Sequence, residues 1–405
     1  MTNNKIIWTT RYTLLNAAYF VAFCTVHAYA AVYLLANGFN NTEVGVLLAV
    51  ANIVSAIFQP IIAGVIDKPG FLTNRRFILI SVLIIMAGSF ILMMIPGNKF
   101  VIFPVYALIY MIQFAYQPVM TALCFEYQKA GCDIFYGLAR GLGSASFAIT
   151  SVFIGQIVEK NGVSILLWVN IAAMVLSVLI VFTFRKPKDT TGNDTDTKAP
   201  QGTAHNSFID FARTYPAFVL FLVGTICFFF AHNMINDFMI QIIRNLGGNE
   251  SELGFANFLQ AILELPVMAL IGLILKKISA NRLLLFSGVA FLVKTLILIF
   301  AKNMPHMYIS QSFQIFAYAI FIPAGAYYVS TTMEELDQVK GQAFITSAIT
   351  IGGVFSNLIS GVILDRYDIK TMLITGSVVC AAGVIISIFA FTRLPHHNTV
   401  KTEQN

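Results

Sequence analysis

A chain of 405 residues that is 58% hydrophobic and 11% charged, with a mean hydropathy of +0.78, has too little polar side-chain area to cover a soluble globule. Its net charge of +6 requires no nucleic-acid partner, because basic loops facing anionic lipid account for it. A Walker-type phosphate loop and a His/Glu metal motif are both missing, which disfavours an ATP-driven pump or a membrane metalloprotease and calls for no cofactor and no metal.

Roughly 20 apolar residues cross a hydrocarbon core of about 30 Å. Runs of that length recur along the whole chain, at 12–35, 42–66, 77–96, 100–127, 135–158, 163–184, 214–243, 250–275, 283–301, 306–330, 341–364 and 370–392. Each must be helical, because open strands leave backbone groups unsatisfied in lipid. The first run is long and continuous, with no cleavable signal, so it is expected to stay in the protein. The polar segment RKPKDTTGNDTDTKAPQGTAHN, 185–206, cannot bury a core and divides the runs six and six. The expectation is an all-α integral membrane fold of twelve transmembrane helices in two six-helix bundles. The first bundle takes residues 1–184, a cytoplasmic linker 185–213, the second bundle 214–392 and a cytoplasmic tail 393–405. Lys68, Arg75, Arg76, Lys129, Arg185, Lys186, Lys276, Lys277, Arg282, Lys340 and Arg393 gather on one side. Far fewer basic residues, among them Lys99, Lys160 and Arg244, fall on the other. The positive-inside rule then puts both termini in the cytoplasm of a multi-pass protein of the cell membrane. Cys24, Cys124, Cys132, Cys227 and Cys380 lack ligand spacing and read as packing residues.

The stretch GVLLAVANIVSAIFQPIIAGVIDKPGFLTNRR, 45–76, resembles the second transmembrane helix and following loop of the major facilitator superfamily. The resemblance implies alternating-access transport, with a gating role for Asp67, Gly70, Arg75 and Arg76. The basic pair stands about three residues late, and plain positive-inside topology explains it nearly as well. Segments GLARGLGSASFAITSVFIGQIVEKNG from Gly137 and GQAFITSAITIGGVFSNLISGVILDRYD from Gly341 occupy equivalent places in the two halves. Both are dense in Gly, Ala and Ser, and both end in an acid–base pair, which suggests a duplicated unit whose small residues allow close helix approach.

An ionisable residue at membrane depth costs about 2.5 to 3.5 kcal/mol on insertion scales and is a functional candidate by default. Those present are His27, Glu126, Arg140, His232, Asp237, Glu264 and Lys294. The segment FYGLARGLGSASF around Arg140 resembles the fifth helix of the oligosaccharide:proton symporter branch, where the arginine grips sugar hydroxyls and an aromatic two turns later stacks on the sugar ring. That aromatic place is Phe147 here. A planar donor fork suits neighbouring hydroxyls. The branch's partner carboxylate falls at Ala122 or Thr121, with Glu126 one turn further, so Glu126 is a candidate for solute or Arg140 pairing, against a structural ion pair. In FLQAILELPVMAL, Glu264 matches the branch's glutamate and is the first choice for a group protonated during transport. Asn257 and Gln260 extend its polar face. In AHNMINDFMIQ, the residues His232, Asn233, Asn236 and Asp237 fall on one broad face, expected to look into a cavity, with Asp237 and His232 as further proton-coupling candidates; interhelical packing is the alternative. His27 and Lys294 read as structural. The branch's charged relay falls on Gln311, Gln314 and Ala317, so those charges are absent, although Gln311, Gln314 and Tyr318 still form a polar stripe.

The reading that follows is a monomeric secondary transporter, not an enzyme, carrying a small polyhydroxy solute, a sugar or oligosaccharide, by proton symport. An exporter or importer of aromatic compounds, nucleosides or amphipathic drugs is the alternative, supported by 36 Phe and 15 Tyr. A sensor or membrane enzyme on the same scaffold lacks any nucleophile–base constellation.

Overall fold

The computed structural model describes residues 2–66, 70, 72–184 and 208–393, and the described residues form helices and connections without a strand. Twelve segments run in order. The first, α1, is Thr2–Phe23, continued by a π-helical turn Cys24–Ala28 and by Ala30–Ala36. Then come α2 (Asn41–Ile66), α3 (Asn74–Met94), α4 (Lys99–Lys129), α5 (Tyr136–Asn161) and α6 (Ser164–Phe182). After a short helix, Phe208–Thr214, follow α7 (Pro216–Asp237, continued by Met239–Asn245), α8 (Glu250–Leu275) and α9 (Ala280–Ile299). The last are α10 (Met304–Ser312, a 3₁₀ turn Phe313–Ile315, then Tyr318–Thr332), α11 (Glu335–Arg366) and α12 (Ile369–Arg393). Among the described residues ten helices are long and apolar enough to cross a membrane, and the bent pair in α1 makes an eleventh. Helix α8, 26 residues long, completes the twelve. Outward faces are apolar, as lipid contact requires: Ile57, Ile61, Leu83, Leu179 and Ile385 are each more than half exposed.

Three segments predicted as continuous are broken. Helix α1 bends by 51° at Tyr29, α7 breaks at Phe238, and α10 tightens to 3₁₀ geometry before Tyr318. None of the breaks falls on Gly or Pro, the residues that sequence reading uses to find a kink. The break residues match in conformation: Tyr29 has φ −109° and ψ 15°, Phe238 φ −113° and ψ 26°.

The residues group into two compact units. One holds α1 to α6 with Ile243–Ile262, and the other holds the rest of α7, Leu263 onward in α8, and α9 to α12. Within the first unit α1 packs on α5 and α6, and α3 on α6; within the second α7 packs on α11 and α12, and α9 on α12. The pairing is the same in each, as a duplication predicts. Helix starts repeat too. Asn40 and Glu43 exchange hydrogen bonds of 2.8 Å in a capping box that opens α2, and the Asn249 N–H donates to Glu252 at 2.9 Å to open α8. The glycine two residues before each of these Asn caps, Gly38 and Gly247, has a φ of +83° that suits glycine alone. The core of the second unit is aromatic, with Phe221, Phe228, Phe229, Phe291 and Phe321 fully buried.

Candidate functional site

In the second unit, the break in α10 delivers Gln314 between two charged residues. Its amide nitrogen donates to Glu264 Oε1 at 2.8 Å, and its carbonyl oxygen accepts from Lys294 Nζ at 2.8 Å. Lys294 is fully buried, and its backbone oxygen accepts from the Ser310 hydroxyl at 2.8 Å. A neutral amide thus holds an ammonium and a carboxylate apart, each satisfied by a charge-assisted hydrogen bond. Lys294, read from sequence as a packing residue, belongs to this network. The signal that could have found it is a lysine in the nine-residue run 290–298, whose only other polar residue is Thr295. Gln311 does not join: it is fully buried, its amide nitrogen lies 3.8 Å from Met307 Sδ, and its oxygen finds no partner. The expected stripe of Gln311, Gln314 and Tyr318 therefore divides, because the 3₁₀ turn rotates Gln314 away from helical register.

The four polar residues of α7 face two neighbours instead of one cavity. His232 Nε2 lies 2.9 Å from Asn236 Nδ2, and its ring stacks on Tyr318 of α10 at 5.4 Å and 20°. Asn233 instead meets α11, where a Cβ added to Gly353 would stand 2.8 Å from its amide nitrogen. Asp237, one turn on, lies against Asn357 of α11.

In the first unit, Arg140 of α5 donates from Nη1 to Ser144 Oγ at 2.9 Å, and its guanidinium carbon stands 4.4 Å from the Phe20 ring centroid. Gly143 makes this possible, since a Cβ there would come within 2.9 Å of Phe20. Rings continue from that point: Phe20 and Phe23 are 6.2 Å apart, Phe23 and Phe147 are 6.4 Å apart, and Phe23 stacks on His27 at 3.9 Å and 12°. Tyr110 lies 3.9 Å from the other side of the imidazole and Phe114 4.7 Å away, edge-on. His27 sits in the π-helical turn, a departure from α-geometry often found at functional sites. Phe114 also lines an open cleft of about 400 Å³ with Gln59, Gln117, Pro118 and Thr121.

Glu126 is not the partner of Arg140. Its carboxylate accepts from Asn74 Nδ2 at 2.9 Å at the start of α3, and Arg140 forms no ion pair among the described residues. Arg75 Nε donates to the Val181 carbonyl at 3.3 Å, tying the end of α6, and the Arg76 N–H is capped by Thr73. Gly70 lies in a bend, and Asp67 is outside the described residues. Asn257 and Gln260, in the part of α8 grouped with the first unit, keep Asn257 Nδ2 and Gln260 Oε1 without partners.

A model of the MFS_1 like family matches residues 12–375. The chain belongs to that family. Among curated relatives, this MFS chain is 21% identical over 378 residues to the maltose permease of Geobacillus stearothermophilus, covering 92% of each. It is 33% identical over 78 residues to the facilitated glucose transporter member 10 of solute carrier family 2 from Xenopus tropicalis, covering 19% of this chain and 14% of that one. Among solved structures it is similar to a mutant of the nucleoside transporter NupG, with TM-score 0.82, 14% identity and coverage of 95% and 100%. It also resembles an auto-inhibited peptide transporter of the POT family, with TM-score 0.74, 10% identity and 98% of both chains covered. These relatives are transporters and none is an enzyme. The protein is a multi-pass membrane transporter of the secondary type, with the twelve-helix major facilitator fold.

Proposed function

We propose that this transporter carries a polyhydroxy solute, a sugar or oligosaccharide, by proton symport through alternating access. It acts as a monomer in the cell membrane, with both termini cytoplasmic and residues 1–184 and 214–392 as its two halves joined by 185–213. The observation that carries the solute class is Arg140. It stands at membrane depth without a carboxylate and spends one donor on Ser144, so the rest of its fork is available to adjacent hydroxyls. Phe147 offers a flat apolar face to a sugar ring on the same side of α5, two turns away. Glu264 serves the proton, because protonation cancels the charge that Gln314 holds and loosens the link to Lys294. Asp237 and His232 are secondary coupling groups, and Asp67, Gly70, Arg75 and Arg76 act in gating. The length-wide likeness to a maltose permease agrees with the sugar reading.

A nucleoside is the second reading, favoured by the ring line from Phe20 through Phe23 to His27, which suits a planar heteroaromatic base, and by the fold shared with NupG. Proteoliposomes with an inward proton gradient, offered labelled maltose or labelled uridine, separate the two. Maltose uptake abolished by a protonophore, by Arg140→Ala and by Glu264→Gln supports sugar symport. Uptake of uridine alone overturns it.

A further inference from the structure

Asp237 is the one acidic residue of α7, and no basic side chain pairs with it among the described residues. Lys294, the buried cation of this unit, is committed to Gln314. A carboxylate in that setting carries a desolvation cost that something must offset.

Three further features converge on it. First, the α-helical run of α7 ends at Asp237, and Phe238 breaks the ladder, which resumes with the Ile242 N–H donating to the Phe238 oxygen at 3.3 Å. The last carbonyls of a helix lack intrahelical partners and carry the negative end of its dipole. Second, Asn357 of α11 is 0% exposed and lies against the Asp237 carboxyl, yet neither its oxygen nor its nitrogen closes a hydrogen bond of normal geometry. Third, Ser356 and Ser360, within a turn of Asn357, are also fully buried with hydroxyls that find no partner. Glycines set the register. A Cβ on Gly352 would stand 2.6 Å from the Ile226 carbonyl, and Gly353 faces Asn233, so one turn further along both helices Asn357 meets Asp237.

We propose that Asp237, Asn357 and the carbonyl end of the α7 helix form a binding site for a hard monovalent cation, Na⁺ or Li⁺, which goes beyond the proton-symport reading. A hard cation takes oxygen ligands of several kinds, and broken transmembrane helices supply them from the C-terminal ends of half-helices. Charge balance sets the valence. One carboxylate with neutral amide, hydroxyl and carbonyl oxygens neutralises a single positive charge, whereas a divalent ion would leave an excess charge buried in the bundle. Asn357, whose amide meets the Asp237 carboxyl and closes no hydrogen bond of normal geometry, offers its oxygen to the ion.

The test is direct binding to the purified full-length protein in detergent at fixed pH, without solute. Labelled ²²Na⁺ should bind saturably, be displaced by LiCl and not by choline chloride, and be lost in Asp237→Asn. In parallel, NaCl should raise the unfolding midpoint by a few degrees over choline chloride, by ligand linkage, and this increment should vanish in Asp237→Asn and shrink at least severalfold in Asn357→Ala. If Asp237→Asn does not fold, saturable binding to the natural chain and its weakening in Asn357→Ala still decide the matter. Absence of saturable Na⁺ binding to the natural chain, equal stabilisation by all chlorides, or Na⁺ binding unchanged in Asp237→Asn overturns the site and leaves Asp237 to water or a proton. None of these outcomes touches the assignment of a sugar or of Glu264, which rest on Arg140 and on the Gln314 bridge, while a bound Na⁺ replaces the secondary proton-coupling role of Asp237.

Discussion

Gln314→Leu tests the bridge between Glu264 and Lys294 most sharply, because leucine keeps much of the volume and removes both hydrogen bonds at once. Each bond joins a neutral amide to a charge at 2.8 Å, and hydrogen bonds to charged groups contribute about 1.5–3 kcal/mol each. The two together give roughly 3–6 kcal/mol, reduced to the extent that Glu264 and Lys294 move into contact. In a Lys294→Met/Glu264→Gln background the same substitution removes one neutral bond and costs about 1 kcal/mol. The difference, on the order of 2 kcal/mol or more, is the coupling that a double-mutant comparison measures. Thermal unfolding of the four purified proteins in one detergent reads it. The expected result is a large fall in midpoint for Gln314→Leu alone and a small one in the charge-free background. Equal falls in both backgrounds would show that Gln314 acts through packing alone, and the reasoning about held-apart charges would fail.

Three other outcomes are expected. Gly254→Ala places a Cβ into the Ser151 carbonyl oxygen, which forces apart α5 and α8 and strains the 2.7 Å hydrogen bond from Ser151 Oγ to the Gly254 oxygen. It should destabilise by about 1–3 kcal/mol, while Gly64→Ala, which meets open space, should not, and indistinguishable unfolding midpoints would contradict this. Arg140→Lys keeps the charge and loses the fork, so solute affinity should drop roughly tenfold, about 1.4 kcal/mol, whereas Glu126→Gln should leave it within about twofold. Binding titrations that show the reverse order would restore Glu126 as the partner of Arg140. Asp368, exposed at the start of α12, accepts from the Thr371 N–H at 2.7 Å, and this holds its carboxyl below the usual carboxylate range. A depressed native value means that the stabilisation is complete above the ordinary value near 3.9 and fades as pH falls through the native one. Asp368→Ala should therefore lower the unfolding midpoint at neutral pH and converge with the natural chain once the pH falls below the depressed native value.

Much of the fold was legible because lipid forces a simple code. Apolar runs of spanning length must be helices, and α2, α6 and α9 fall within a few residues of their predicted limits. Where the code failed, a local feature without sequence punctuation prevailed. The π-turn at Cys24–Ala28, the α7 break at Phe238 and the 3₁₀ turn at Phe313–Ile315 contain neither Gly nor Pro, so the sequence carries no punctuation at any of them. Those breaks decided the site. They separate Gln311 from Gln314 and place His27 among rings, whereas His232 and Asp237, both in the unbroken run of α7, meet different helices because five residues of helix turn them about 140° apart. The shared face of Arg140 and Phe147 was legible because two helical turns keep register in an unbroken helix, and both approach rings of α1. Glu126 was not, since its partner Asn74 lies 52 positions away, across a helix start that no periodicity encodes.

The matching helix starts and breaks of the two halves carry different side chains. Gly38 and Gly247, Asn40 and Asn249, Glu43 and Glu252, and the break residues Tyr29 and Phe238 all stand at one constant offset in sequence. At that offset His27 corresponds to Asn236, and Ala28 to Asp237. A break at matching places in the two halves is thus filled in two ways. In α1 it is filled by an imidazole between Phe23 and Tyr110, with methyl-sized Ala28 beyond it. In α7 it is filled by the Asn236 amide, beside His232, and by the Asp237 carboxylate, against Asn357. A ring cage favours flat, weakly polar groups, and a carboxylate with unspent oxygens around it favours a small cation. Exchanging the two by Ala28→Asp with Asp237→Ala should therefore not move the cation site into α1, because Asn357 stands on α11 against α7, whereas Phe23, Tyr110 and Phe114 surround His27. Saturable Na⁺ binding by that double variant would show that the break alone, and not its neighbours on α11, makes the site.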